Sequence, residues 1–137
     1  MDCIFCKIIS GEIPCSKIYE DDLFIAFLDI RPIRKGHTLI VPKRHFESLF
    51  DTPVEESAAI YAVTAKVAAA VREATKSTGI NIIQNNGADA GQEVFHSHIH
   101  IIPRSHDDGL KFERQHDEYS GFEEMGKLAH RIHSLTE

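Results

Sequence analysis

Runs rich in β-branched and aromatic residues come early in the chain, and Lys17 to Tyr19, Phe24 to Ile30 and His37 to Val41 each predict a strand. Asp21-Asp22 and Arg34-Lys35-Gly36 supply turns between them. Connections this short require antiparallel neighbours. The apolar period then changes from two to about 3.6. Thr52 is the expected N-cap, Pro53 suits the first helical position, and Glu55 completes a capping box with Thr52. Ile60, Val63, Val67, Ala70, Val71 and Ala74 recur at helical spacing, Lys66, Arg72 and Glu73 are left outside, and Gly79 predicts the stop.

Ile80 to Gln84 predicts a fourth strand, closed by Asn85-Asn86-Gly87. The loop Gly87 to Gly91 leads into a fifth strand, Val94 to Ile102, stopped by Pro103. After a polar stretch, Phe122 to Ile132 predicts a last helix. The expectation is an α+β fold: an antiparallel five-stranded sheet, a long helix packed on it and a C-terminal helix. No repeat or linker divides the chain, so residues 1–137 are expected to form one domain.

Composition narrows the function classes. A net charge of −6 argues against a nucleic-acid-binding surface, which is normally basic. Any bound phosphate must be held by a few local donors. No stretch approaches the ~20 apolar residues of a membrane span. The first residues lack the basic and apolar regions of a signal peptide. The expected compartment is the cytoplasm, which the three cysteines fit. Among nine histidines, placement matters more than number.

Three of them alternate in His96-Ser97-His98-Ile99-His100. In a strand these three share one face, ~6.6 Å apart from one to the next, while Ile99 and Ile101 pack beneath the long helix. One alternative is a solvated strand face. Another is a metal-binding row, but ligands of one small ion must lie within ~3.5 Å of each other. Nucleophilic catalysis at phosphorus is the positive reading, since a neutral imidazole is a good nucleophile near neutral pH. The preceding glycine-bearing loop offers backbone N–H groups to a phosphate.

This segment resembles the signature of the histidine-triad (HIT) superfamily. The likeness extends over Phe27-Leu28-Asp29-Ile30, over Gly36 through His45, and over Asn85 through Arg104. It implies the HIT-like fold and a hydrolase cleaving purine nucleoside phosphoramidates or dinucleoside polyphosphates at the α-phosphorus. By the same resemblance His98 is the nucleophile that forms a nucleotidyl-histidine, His100 and His37 polarise the phosphate, Gln92 contacts the scissile bridge or phosphate, and Asn85 supports the site. Asp29 takes the ribose hydroxyls, Phe5, Ile8, Phe27 and Ile30 sandwich the base, and Gly91 and Glu93 border the phosphate. From residue type alone, Phe27 and Ile30 are equally core residues, and a simple turn acceptor is the lesser alternative for Asp29. The best-known phosphoramidase branch carries a hydroxyl where this chain has Glu93. An ionised carboxylate there repels a polyphosphate leaving group and tolerates a cationic amine; the alternative is that Glu93 faces solvent. A homodimer is also implied by the resemblance alone.

Cys3-x-x-Cys6 has zinc-knuckle spacing but supplies only two ligands. A redox pair would follow a strand, and nothing precedes this one. Two small apolar residues remain a third reading. The family resemblance implies that His45 and His96 complete a structural zinc with Cys3 and Cys6, leaving Cys15 an ordinary thiol. His106, His116, His130 and His133 read as surface residues. The function alternatives are a nucleotidyl transferase and a zinc-containing nucleotide-binding interaction module with little turnover.

Overall fold

The structure, a computed structural model, describes residues 2–137. In chain order it forms α1 (Ile4–Ile9), β1 (Lys17–Glu20), β2 (Phe24–Leu28), β3 (Thr38–Pro42), α2 (Val54–Thr75), β4 (Gly79–Ile83), β5 (Ile99–Arg104) and α3 (Phe122–Leu135). The five strands make one sheet in the order β1-β2-β3-β5-β4, every neighbouring pair antiparallel. This is the expected α+β architecture.

The sheet is buried on both faces at its centre, which is why β2 and β3 read as nearly continuous apolar runs. One face packs Phe24, Ala26, Ile40, Ile99 and Ile101 against Ile60, Val67 and Val71 of α2. Each such fully buried side chain contributes roughly 1.5–3 kcal/mol. The opposite face sets Ile25, Phe27, Leu39 and Val41 against Cys3 and Phe5 at the start of α1. Register aligns Phe27 with Leu39 and Leu39 with His100, so these three form one cross-strand row on the α1 face.

Several element ends differ from the expectation, each for a local reason. Thr52 does not cap α2; its hydroxyl donates to the Ser48 carbonyl oxygen, closing a 3-10 turn at Leu49–Asp51. The capping box lies one turn earlier, between Ser48 and Asp51. Pro53 is the N-cap of α2, and Glu55 and Glu56 favour its positive end. The helix stops at Lys76, in the left-handed conformation at φ 54°, and Gly79 instead opens β4. Ala70 and Ala74 are exposed, while Glu56 and Thr64 join the buried stripe.

Strand β2 ends at Leu28, leaving Asp29 and Ile30 to the turn that follows. Pro103 lies within β5, paired with Ile80 beyond the point where β3 stops pairing, so its missing N–H costs no ladder bond. Gly36, at φ +98°, has no room for a side chain: a Cβ would stand 2.6 Å from Thr75 Cγ2. Helix α3 has no buried residue. Among the described residues no helix is long and apolar enough to cross a membrane.

Candidate active site

Strand β5 starts at Ile99, so His96 and His98 precede the ladder instead of extending it. The Ser97 N–H donates to the Phe46 carbonyl oxygen at 2.6 Å, drawing this segment towards the residues after β3. The expected single row of three imidazoles is therefore divided. His98 and His100 stand with ring centroids 4.8 Å apart, closer than strand spacing, while His96 turns towards His45, 4.7 Å between centroids.

The hydrogen bonds settle the protonation of each ring. His98 Nδ1 lies 2.7 Å from the His96 carbonyl oxygen. A carbonyl only accepts, so Nδ1 carries the proton and Nε2 holds a lone pair. His37 Nδ1 accepts the Ile33 N–H at 3.1 Å, so its Nε2–H donates to His100 Nδ1 at 2.9 Å. The neutral His100 ring then carries its own proton on Nε2. Burial holds His37 and His98 below the ordinary histidine value. His100 is pushed down to about 4 by burial, reinforced by His98 and His37. All three are neutral at pH 7, which leaves a free lone pair on His98 Nε2 and a free N–H on His100 Nε2.

A cavity of about 560 Å³ opens on the far side of Phe5 from His98, and none of the three imidazoles lines it. Phe5, Ile8, Phe27, Ile30 and Asp29 all line it, which brings together the five residues assigned to nucleoside binding. Phe5 forms the inner wall, its ring edge-on to His98 at 5.0 Å and to Phe27 at 5.8 Å. Ile30, 94% exposed, is a rim residue. Asp29 Oδ1 accepts the Arg31 N–H at 2.9 Å as a turn acceptor, while Oδ2 stands 3.7 Å from His37 Nε2. Ile4, Ile13, Pro14, Cys15, Ser16, Leu28 and Leu39 complete the lining. Sequence reasoning misses Ile4 because α1 goes unrecognised, although Ile4-Phe5 and Ile8-Ile9 repeat at i, i+4.

The loop before β5 holds the remaining candidates. Gln92 is buried and its amide is fully engaged: Oε1 accepts the Gly87 N–H at 2.8 Å, and Nε2 donates to the carbonyls of Glu47 and Val94. It braces the loop. Gly91 sits at φ +93° with its open side 3.8 Å from the Asn85 amide, so a side chain there would be strained. Glu93 is exposed.

A second cluster lies behind Phe5. Cys3 Sγ is 3.4 Å from His96 Nδ1, Cys6 Sγ is 3.4 Å from His45 Nδ1, and Cys6 Sγ is 3.6 Å from His96 Nδ1. Tetrahedral zinc with its usual bond lengths sets S···N separations near ~3.6 Å, so the donor set and spacing fit that ion. His96 Nε2–H donates to the Pro42 carbonyl oxygen at 2.8 Å, which turns the Nδ1 lone pair towards the sulfurs. Donor atoms of Asp29, His37 and His100 also lie within 4.8 Å of one another. There His37 Nε2 carries the proton it donates to His100, so that group is a hydrogen-bond chain and not a metal centre. Cys15 is a free thiol, and His106, His116, His130 and His133 are exposed.

The HIT domain family matches residues 10–107. The chain belongs to the HIT family. A HIT-like protein of Borreliella burgdorferi is 50% identical over 115 residues, 82% of this chain and 83% of that one. An Arabidopsis thaliana relative named adenylylsulfatase is 50% identical over 109 residues, 80% of this chain and 55% of that one. A Schizosaccharomyces pombe relative named adenosine 5'-monophosphoramidase is 44% identical over 111 residues, 79% of this chain and 78% of that one. Among solved HIT structures, a Streptococcus mutans protein superposes with a TM-score of 0.93 at 43% identity, over 99% of this chain and 86% of that one. A zinc-bound histidine-triad protein from Mycobacterium smegmatis superposes at 0.78 with 42% identity, over 98% of each chain.

Proposed function

We propose that this HIT domain, spanning residues 1–137, is a nucleotide hydrolase acting at the α-phosphorus of purine nucleoside phosphoramidates or dinucleoside polyphosphates. The observation that carries the proposal is the His98 ring. It is neutral, its proton held on Nδ1 by donation to the His96 carbonyl, and it is set against the Phe5 wall of an apolar cavity that Asp29 also lines. The names of the plant and yeast relatives support it, since adenylyl sulfate and adenosine phosphoramidate share an adenylate α-phosphorus.

In the proposed reaction the base enters the cavity between Phe5, Ile8 and Phe27, and Asp29 accepts the ribose hydroxyls. His98 Nε2 attacks phosphorus; the N–P bond forms as the bond to the leaving group breaks, and the leaving group takes a proton from solvent. His100 Nε2–H, aligned by the His37 chain, donates to a non-bridging oxygen. Water then attacks phosphorus and gives up a proton to solvent, replacing the one taken by the leaving group; the N–P bond breaks, its electron pair returns to Nε2, and the nucleoside monophosphate leaves with neutral His98 restored. Gln92 and Asn85 support the phosphate loop. Steady-state turnover of adenosine and guanosine phosphoramidates and dinucleotides tests this. His98→Ala is expected to lose several orders of magnitude in kcat while nucleotide binding survives. A variant keeping more than about a tenth of the wild-type rate contradicts a covalent route.

Cys3, Cys6, His45 and His96 are the residues that would hold a structural zinc of the bacterial type. Four protein ligands leave no open position, so the ion would supply cross-linking of α1 to the sheet and no chemistry at phosphorus. We also read the molecule as a homodimer. Phe50, Val54 and Tyr61 are exposed at and near the start of α2, and Phe122, Leu128, Ile132 and Leu135 leave an uncovered apolar stripe on α3.

A further inference from the structure

The two clusters meet in one residue. The His96 ring is fully buried and held at both nitrogens, by the Pro42 carbonyl on Nε2 and by the two thiol sulfurs at Nδ1. Its carbonyl oxygen, at the other end of the same residue, accepts the His98 Nδ1–H and so keeps the proton on that nitrogen. This carbonyl lies outside the sheet ladder, because β5 pairing begins only at Ile99. Its position therefore depends on how the His96 side chain is anchored. A second link runs in parallel: Phe5 lies between Cys3 and Cys6 on α1 and packs edge-on against both His96 and His98.

We propose that His96 is a positioning residue that couples the Cys/His metal centre to the nucleophile. Filling the centre anchors the His96 ring and fixes its carbonyl, and the carbonyl holds His98 in the tautomer whose Nε2 lone pair can attack. Emptying the centre leaves the ring on its Pro42 bond and thiol contacts alone, so the carbonyl is held less firmly and no longer imposes a single tautomer. The centre then governs the chemistry at His98 while contributing no ligand to the substrate. This rests on reading His98 as the nucleophile and deepens it.

Long-range proton–nitrogen correlation spectra of the imidazoles, recorded without nucleotide on the whole chain, read this coupling. Zinc-loaded protein is expected to show His98 in the Nδ1–H form alone. Protein stripped with a chelator is expected to show a mixture of tautomers, reversed on reloading with zinc. His45→Ala serves as the second arm, since it removes a ligand that does not touch His98 and leaves three donors to keep α1 in place. It is expected to give the same mixture, with kcat down about ten- to a hundred-fold. Unchanged His98 nitrogen shifts in His45→Ala, in protein whose circular dichroism is that of the folded sheet, overturn the coupling. A His98 tautomer that follows zinc in a protein transferring no nucleotide would instead overturn the hydrolase reading and leave the coupling intact.

Discussion

At the scale of single residues, the site is organised by which nitrogen of each imidazole holds a proton. Backbone groups make that choice: the His96 carbonyl for His98, the Ile33 N–H for His37, and through His37 the orientation of His100. Gln92 plays a comparable part for the loop, with three hydrogen bonds to backbone groups. Gln92→Leu strands those groups in a buried position, so about 1–3 kcal/mol of stability is expected to be lost along with activity. Denaturant unfolding that matches wild type would show the brace to be dispensable. Glu93 is a different case. Its exposed carboxylate is expected to disfavour polyphosphate leaving groups, so amine-leaving substrates should be turned over faster than dinucleoside polyphosphates. Glu93→Ser is expected to narrow that ratio; an unchanged ratio makes Glu93 a plain surface residue.

The elements show why some of this is readable from sequence and some is not. The strands of the sheet and the α2 stripe are legible because apolar period follows burial, as Ile60, Val67 and Val71 illustrate. Helix α1 is not, because six residues make too short a periodic signal and Cys3-x-x-Cys6 invites a purely chemical reading. The segment before β5 misleads for another reason: alternating histidines mimic a strand. The residues are not held by ladder bonds but by Ser97 on Phe46, His96 on Pro42 and His98 on its own neighbour's carbonyl. Such tertiary partners leave no trace in local pattern.

The packing of these elements sets a pH dependence. Burial holds His37 below its ordinary 6.5, and His100 down at about 4, whereas the unfolded chain titrates near 6.5. Below that pH the unfolded state binds more protons than the folded one, so stability is full above 6.5 and is lost as pH falls towards 4. Thermal melting of wild type is expected to fall across that window, and to fall less in His100→Asn. Parallel profiles for the two proteins would exclude His100 as a contributor.

For the whole molecule, the sheet and α2 form the self-sufficient part, with one apolar cluster on each face of the sheet. Removal of metal is therefore expected to lower the melting temperature without abolishing the fold, unlike a zinc finger. Metal analysis is expected to give close to one zinc per chain; protein prepared without chelators and with reduced thiols that holds none contradicts the assignment of Cys3, Cys6, His45 and His96. The exposed stripe of α3 places the proposed dimer at the same scale. Light scattering is expected to report twice the 15.4 kDa chain mass, and a monomer at micromolar concentration would remove the dimer.

The proposed route has His98 carry the nucleotide during turnover, and isolating that species tests it. Protein mixed with an adenosine phosphoramidate labelled at the α-phosphorus, quenched within one turnover and digested at alkaline pH, is expected to yield a labelled peptide containing His98. The label should be acid-labile and absent from His98→Ala. Turnover at the full rate with no protein-bound label at any quench time would contradict the covalent route and point to direct attack by water.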